Sequence, residues 1–425
     1  MPGADPAGGS EERFQAEVRA NLRRNYLAHL SHGLLGQTGM RLVNAPTFLP
    51  AYVAELAGSE IAVGVARGLQ YLGMCLSSLV GATLIEHRRR VLPVGFAIGA
   101  LMRLQILGLA LGGLMLPNPW ALWAVWLFLG LFGVFLGVQG VVFNFLISKV
   151  TPVRQRGVLL GLRNALAGIT AVVVALYAGR TLIGTNALGN GYAATFLLSF
   201  VLTSVGLAML LFVREPETPN VLKRSGVARR LRDLPDLLRA DPAFTRFFAA
   251  RALTTVGRMA VPFYVLYAGT RMPLSGSDYG LITAAFVASQ SAGNLLWGFL
   301  ADRRGFRFVF LASLALWMLS VLLLIETADM NRLVAVYLGL GAGLGGFQLS
   351  GQNLVLEFGR RRHLPMRIAV ANSASDLVAA VGVGVGGVLA TLLGYVWVFG
   401  LALGFQVTGA LVVLFFVEEP RRRSD

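Results

Sequence analysis

Residues 298–307 read GFLADRRGFR. An apolar run ends there in an acid, Asp302, followed by Arg303 and Arg304. Gly305 and Arg307 follow, and a second apolar run begins at Phe308. Gly305 permits a tight reversal, because a residue without a Cβ enters backbone regions closed to the others. Helix ends carry unpaired backbone groups and partial charges, so an acid and several cations on so short a turn are placed to meet them. A weaker copy, GATLIEHRRR, occupies 81–90, with Glu86 one residue late and the turn glycine missing.

The runs on either side set the solvent. Of 425 residues, 56% are hydrophobic and 14% charged, with a mean hydropathy of +0.67. Soluble chains carry about 25% charged residues. Apolar runs recur along the whole chain, each long enough to cross roughly 30 Å of hydrocarbon as a helix. Lipid forces a backbone to satisfy itself, which leaves helices or closed barrels. Long runs rather than alternating ten-residue segments select helices. The sequence therefore predicts an all-α polytopic membrane protein with about twelve spans. They fall at 26–55, 60–86, 91–115, 120–147, 158–183, 191–213, 244–271, 278–301, 308–327, 332–357, 368–393 and 395–416.

The net charge of +16 is distributed by side. Most Lys and Arg fall in the termini and alternate loops: HRRR, SKVTPVRQRG, the stretch 214–243, DRRGFR, GRRRHLPMR and EEPRRRSD. The opposite side holds Arg180, Arg271 and Arg332. Positive loops stay cytoplasmic, so both termini are expected inside, with the basic loops against anionic lipid headgroups rather than nucleic acid. The opening MPGADPAGGSEERF is no signal peptide, and the first span is expected to serve as an uncleaved signal. Cys75 is the only cysteine, which excludes an internal disulfide and a cysteine metal site. Arg exceeds Lys 35 to 2, a bias expected of a GC-rich bacterial genome. The expected location is the bacterial cytoplasmic membrane.

The chain also repeats itself. GMRLVNAP at 39–46 is matched by GRMAVP at 257–262; FLPAYV by FYVLYA; GSE at 58–60 by GSD at 276–278. The two acidic-basic turns then align, and LFVREPE at 211 matches FFVEEPR at 415. Five pairs in order predict two homologous halves. The expected organisation is a tail at 1–24, a six-span bundle at 25–213, a basic linker at 214–243, a second bundle at 244–417 and a tail at 418–425. A parallel repeat of this kind, with GFLADRRGFR matching the G-x-x-x-D-R-x-G-R signature, resembles the major facilitator superfamily. The resemblance covers about 25–416 and implies a secondary transporter working by alternating access. It also implies a gate latch: Asp302 against a helix N-terminus of the other half, Arg303 or Arg307 with Glu357, and Glu86 with HRRR in the first half.

Helical periodicity gives several spans one polar stripe each. The stripes are Gln37, Arg41 and Asn44; Arg67, Gln70 and Tyr71; Arg251, Thr254 and Arg258; Gln290 and Asn294; Gln348 and Gln352; and Asn372 and Asp376. Gln139 joins them as a further candidate. Charge within a bilayer normally faces a cavity or a partner. Pro46 and Pro262 allow bends beside Arg41 and Arg258. Six span arginines (Arg41, Arg67, Arg103, Arg163, Arg251 and Arg258) face one interior acid, Asp376, which favours an anionic group on the solute. Arg103 and Arg251 are expected to brace helices, and Arg163 to belong to the inner gate. Asp376 and His32 are the proton-coupling candidates. His29 and His32 lack a third ligand for a metal, and no cofactor is expected. The glycine-proline pair of the family's drug antiporters is absent from span 5.

The expected function is secondary active or facilitative transport of a small anionic organic solute by a monomer, with protons as a candidate coupling ion and exchange or facilitated diffusion left open. The alternatives are a lipid or amphiphile flippase, or an efflux carrier, on the same fold, and a non-transporting receptor or assembly factor. No Walker loop, nucleophile elbow or zinc motif points to an enzyme.

Overall fold

The computed structural model describes residues 6–85, 87–218, 239, 241–358 and 364–417. Among these, all regular structure is helical. The first part of the chain forms α1 (Pro6–Ala20), α2 (Leu22–Asn44), α3 (Phe48–Ala57), α4 (Glu60–Ile85), α5 (Leu92–Met115), α6 (Trp120–Val150), α7 (Val153–Tyr177) and α8 (Gly191–Ala208). The second part forms α9 (Pro242–Val256), α10 (Phe263–Arg271), α11 (Gly276–Arg304), α12 (Phe306–Ile325), α13 (Met330–Glu357), α14 (Leu364–Leu393) and α15 (Tyr395–Phe416). The N-terminal stretch expected as a tail is largely α1. Its sequence EERFQAEVRA is dominated by good helix formers.

Eight of the described helices, α5 to α8 and α12 to α15, are long and apolar enough to cross a membrane. Large apolar side chains such as Leu392, Trp397 and Phe415 point outward from them, a surface suited to hydrocarbon rather than water. The first expected span divides into α2 and α3 at Ala45–Thr47. The seventh divides into α9 and α10 around a 3-10 turn at Gly257–Ala260. Pro46 and Pro262 lack the N–H that a continuous helix would use. The short helices beyond both breaks are anchored by burial: Phe48, Leu49, Tyr52 and Val53 on α3, and Phe263, Tyr264 and Val265 on α10. Two matching breaks beside two matching arginines are the repeat in three dimensions.

Within the first part, α4 packs on α6, α2 on α7 and α8, and α5 on α6 and α8; within the second, α13 packs on α11 and α12, and α9 on α15. The parts meet mainly through two helix pairs, α4 with α14 and α7 with α11, and α3 also meets α10. We call the end bearing HRRR and DRRGFR the basic end, and the other the far end. Contact is closest toward the far end. A Cβ on Gly179 would stand 2.4 Å from Gly280 Cα, and one on Gly64 2.8 Å from the Val383 carbonyl oxygen. Only glycine allows such backbone approach. The same stripe of α7 passes through Gly168, against Ser291. One and two turns onward it reaches Asn164, which is exposed, and Gly161, which has open space beside it. On α11 the stripe runs on from Ser291 to the exposed Leu295, the open Gly298 and the exposed Asp302. The two parts are closed at the far end and diverge toward the basic end.

Candidate functional site

The site is built where this divergence begins. Arg41, on the last turns of α2, donates from Nη1 to Ser291 Oγ on α11 at 2.7 Å. One break further along the chain, the Thr47 and Thr283 hydroxyls hydrogen-bond at 2.6 Å. Arg258, on the 3-10 turn between α9 and α10, donates to Tyr71 Oη on α4 at 3.2 Å. Its guanidinium also lies over the Tyr71 ring, 4.6 Å from the centroid, a cation–π contact. Both arginines therefore cross between the parts, and both meet neutral groups there.

Arg67 has another role. It donates from Nη2 to the Ala45 carbonyl at 2.7 Å and from Nη1 to Gln70 Oε1 at 2.8 Å. The Ala45 carbonyl is freed by the break after α2, and a guanidinium there also offsets the negative end of the helix dipole. Gln70 in turn donates to Asn44 Oδ1 at 2.7 Å. Arg67, Gln70 and Asn44 thus fix the bend, and the exposed Asn44 is the member at the open side. In the second part, Arg251 donates to Asn372 Oδ1 at 3.1 Å. Asp376 is buried on α14 within electrostatic reach of Arg258 and Arg251. Gln348 and Gln352 are exposed one turn apart on α13, and Gln37 is half-buried on α2.

Four expected site residues lie elsewhere. Gln139 is buried inside the first part, where a Cβ on Gly99 would stand 3.4 Å from its Nε2. His32 is buried there too, with Nδ1 3.1 Å from the Gly206 carbonyl and its ring 4.9 Å from that of Phe143. Gln290 and Asn294 turn toward Gly345 of α13, inside the second part. Periodicity identifies a polar face but not which of two neighbours that face meets. Ser291, one residue from Gln290, is the group that meets Arg41, and a lone serine gave no signal in sequence. Arg103 braces helices as expected, donating to the Thr203 and Gly99 carbonyls.

At the far end a cavity of about 290 Å³ lies between the parts, lined by residues including Glu55, Glu60, Tyr192, Tyr279 and Tyr395. Glu60 accepts from Tyr395 Oη at 2.7 Å and from Thr391 Oγ1 at 3.2 Å, a contact between α4 and the second part. At the basic end, Gly305 takes φ +82°, as the tight turn requires. Asp302 is exposed, Arg303 lies over the Phe299 ring, and Arg307 donates to the Val413 and Leu414 carbonyls. Glu357 is half-buried at the end of α13. Glu86 lies outside the described residues.

The Major Facilitator Superfamily model matches residues 34–271 and again 247–425. The chain belongs to this superfamily. As in its sequence, the superfamily repeat is visible in the paired breaks and in the signature turn after α11. Among solved structures, a D-xylose–proton symporter is similar, with a TM-score of 0.71 at 14% identity. That match covers 94% of this chain and 99% of the symporter. A variant of the nucleoside transporter NupG gives 0.69 at 12% identity, over 93% and 98% of the two chains. At such identity the likeness shows the fold alone. No curated protein matches the sequence. Membership of the superfamily points to a membrane transporter rather than an enzyme.

Proposed function

We propose that this superfamily member carries a small anionic organic solute across the bacterial cytoplasmic membrane by rocking two six-helix halves. In this reading there are twelve spans, and the basic end and both termini are cytoplasmic. The observation that carries it is that Arg41 and Arg258 hydrogen-bond only to neutral hydroxyls across the halves, with Asp376 on α14 in electrostatic reach of Arg258 alone of the two. Each reaches across the divergence of the halves to a hydroxyl, Ser291 or Tyr71. A guanidinium whose hydrogen-bond partner is a neutral hydroxyl keeps affinity for a carboxylate, phosphate or sulfate, most fully at Arg41. Asn44, Gln348 and Gln352 supply further polar contacts on the open side.

A thermal-shift screen of the purified protein against metabolite anions tests this. A stabilising anion is expected to bind about ten- to hundredfold more weakly to Arg41→Gln and to Arg258→Gln, the loss of one charge-assisted hydrogen bond of about 1.5–3 kcal/mol. Undiminished binding in both variants contradicts the anionic reading.

Protons are the proposed coupling ion, and Asp376 the group that carries them, since it is a buried acid within electrostatic reach of Arg258 and Arg251. In proteoliposomes with an imposed pH gradient, Asp376→Asn is expected to abolish gradient-driven accumulation while solute exchange persists. Accumulation at the wild-type rate removes Asp376 from the coupling.

A further inference from the structure

Away from the cavity, inside the first part, lies a second polar cluster. Arg163 on α7 is 6% exposed, and its guanidinium lies across α2 where Gly33 has no side chain. A Cβ at Gly33 would stand 2.1 Å from Arg163 Nε. That Nε meets no hydrogen-bond partner among the described residues. His29, one turn earlier on α2, is fully buried, and neither ring nitrogen has a partner. Arg163 is close enough to act electrostatically on both His29 and His32. Arg103 approaches from the other side: a Cβ on Gly36 would stand 3.6 Å from His32 Cε1 and 4.0 Å from Arg103 Nη2.

The helices that enclose this cluster, α2, α5, α6, α7 and α8, contain no Asp or Glu. Two guanidinium charges are thus buried with no carboxylate on any surrounding helix. Unpaired buried charge is among the most costly arrangements a fold can hold. A buried donor without a partner calls for an ion or a water. Water satisfies the N–H groups but leaves the charge uncompensated.

We infer that the first half holds a small monovalent anion, of the halide class, between Arg163 and His29. The anion accepts from Arg163 Nε–H and from a ring N–H of His29, and it offsets one of the two positive charges of Arg163 and Arg103. The near-complete burial of both side chains suits a monatomic ion rather than an organic one. The site lies within one half and does not depend on the proposed solute. Its expected effect is on the stability of that half.

The test is thermal unfolding of the full-length protein at constant ionic strength in sodium gluconate, with chloride or bromide substituted stepwise. The inference predicts a saturable rise in Tm of several degrees with either halide. Arg163→Met is expected to lose that rise and to be no less stable than wild type in gluconate. Arg41→Gln is expected to keep it, which separates this site from the solute cavity. Crystals grown in bromide should show an anomalous peak beside Arg163 Nε, a readout that needs no variant. A wild-type Tm indifferent to halide, the full rise persisting in Arg163→Met, or bromide crystals without that peak would each overturn the inference.

Discussion

An arginine within an apolar run has three fates in this chain, and the residue's surroundings decide which. Arg41 and Arg258 cross between the halves to neutral hydroxyls; Arg163 has an unpartnered Nε; Arg67 is spent on the bend after α2. Position in the sequence places each in an apolar run, but does not show its fate. The carbonyl partner of Arg67 lies 22 residues away, on another helix, and no local pattern reports such a contact. The structure makes Arg67 a brace, so Arg67→Gln should destabilise the protein by about 1.5–3 kcal/mol, the worth of hydrogen bonds to a charged group. Equilibrium denaturation measures this. Normal stability combined with lost solute binding would return Arg67 to the set of solute ligands.

Helices were largely legible because their signals are local. Apolar length, the Arg-to-Pro spacing of the first and seventh spans, and the Asp-Arg-Arg-Gly turn can each be read within a dozen residues. Long-range caps could not be read. Glu215 illustrates this, since it appeared in sequence only as one element of the repeat. Its carboxylate accepts from the Val91 and Leu92 backbone N–H groups at 2.7 Å each, at the start of α5. It also pairs with Lys149 at 2.7 Å, and both side chains are 3% exposed. Lys149 donates onward to the Arg89 carbonyl at 2.6 Å. One acid thereby ties the end of α6 and the start of α5 to the segment after α8. Glu215→Gln leaves a buried ammonium without its counter-charge, and a cost of about 3 kcal/mol is expected. Thermal unfolding of this variant beside Lys149→Met, which removes the orphaned charge, provides the check. The double variant Glu215→Gln with Lys149→Met should recover part of the loss. Failure to recover any would mean that capping, not pairing, dominates.

At the scale of the whole molecule, the halves meet through glycine at the far end and part toward the basic end. The backbone approach of Gly179 to Gly280 sets how fully the far end closes. Gly179→Leu puts a side chain into that contact. It should hold the far end ajar, with faster labelling of a cysteine at Ser59 than in the parent. Unchanged labelling would mean that closure does not depend on this contact. Composition and repeats revealed two similar halves in sequence. The state in which they rest was not legible, because it depends on which of two competing sets of contacts is made. The exposed Asp302 and the closed far end belong to one of those sets, and the latch expected for Asp302 belongs to the other. Spin-label distances test the alternation most directly. With Cys75 replaced by Ser, one pair is placed at Ser59→Cys and Pro273→Cys at the far end, and another at His87→Cys and Arg304→Cys at the basic end. Binding of the anion found in the screen should lengthen the first distance in a fraction of molecules and shorten the second in the same fraction. Distances that stay fixed at both ends, or that change in the same sense, would contradict a carrier built from two rocking halves.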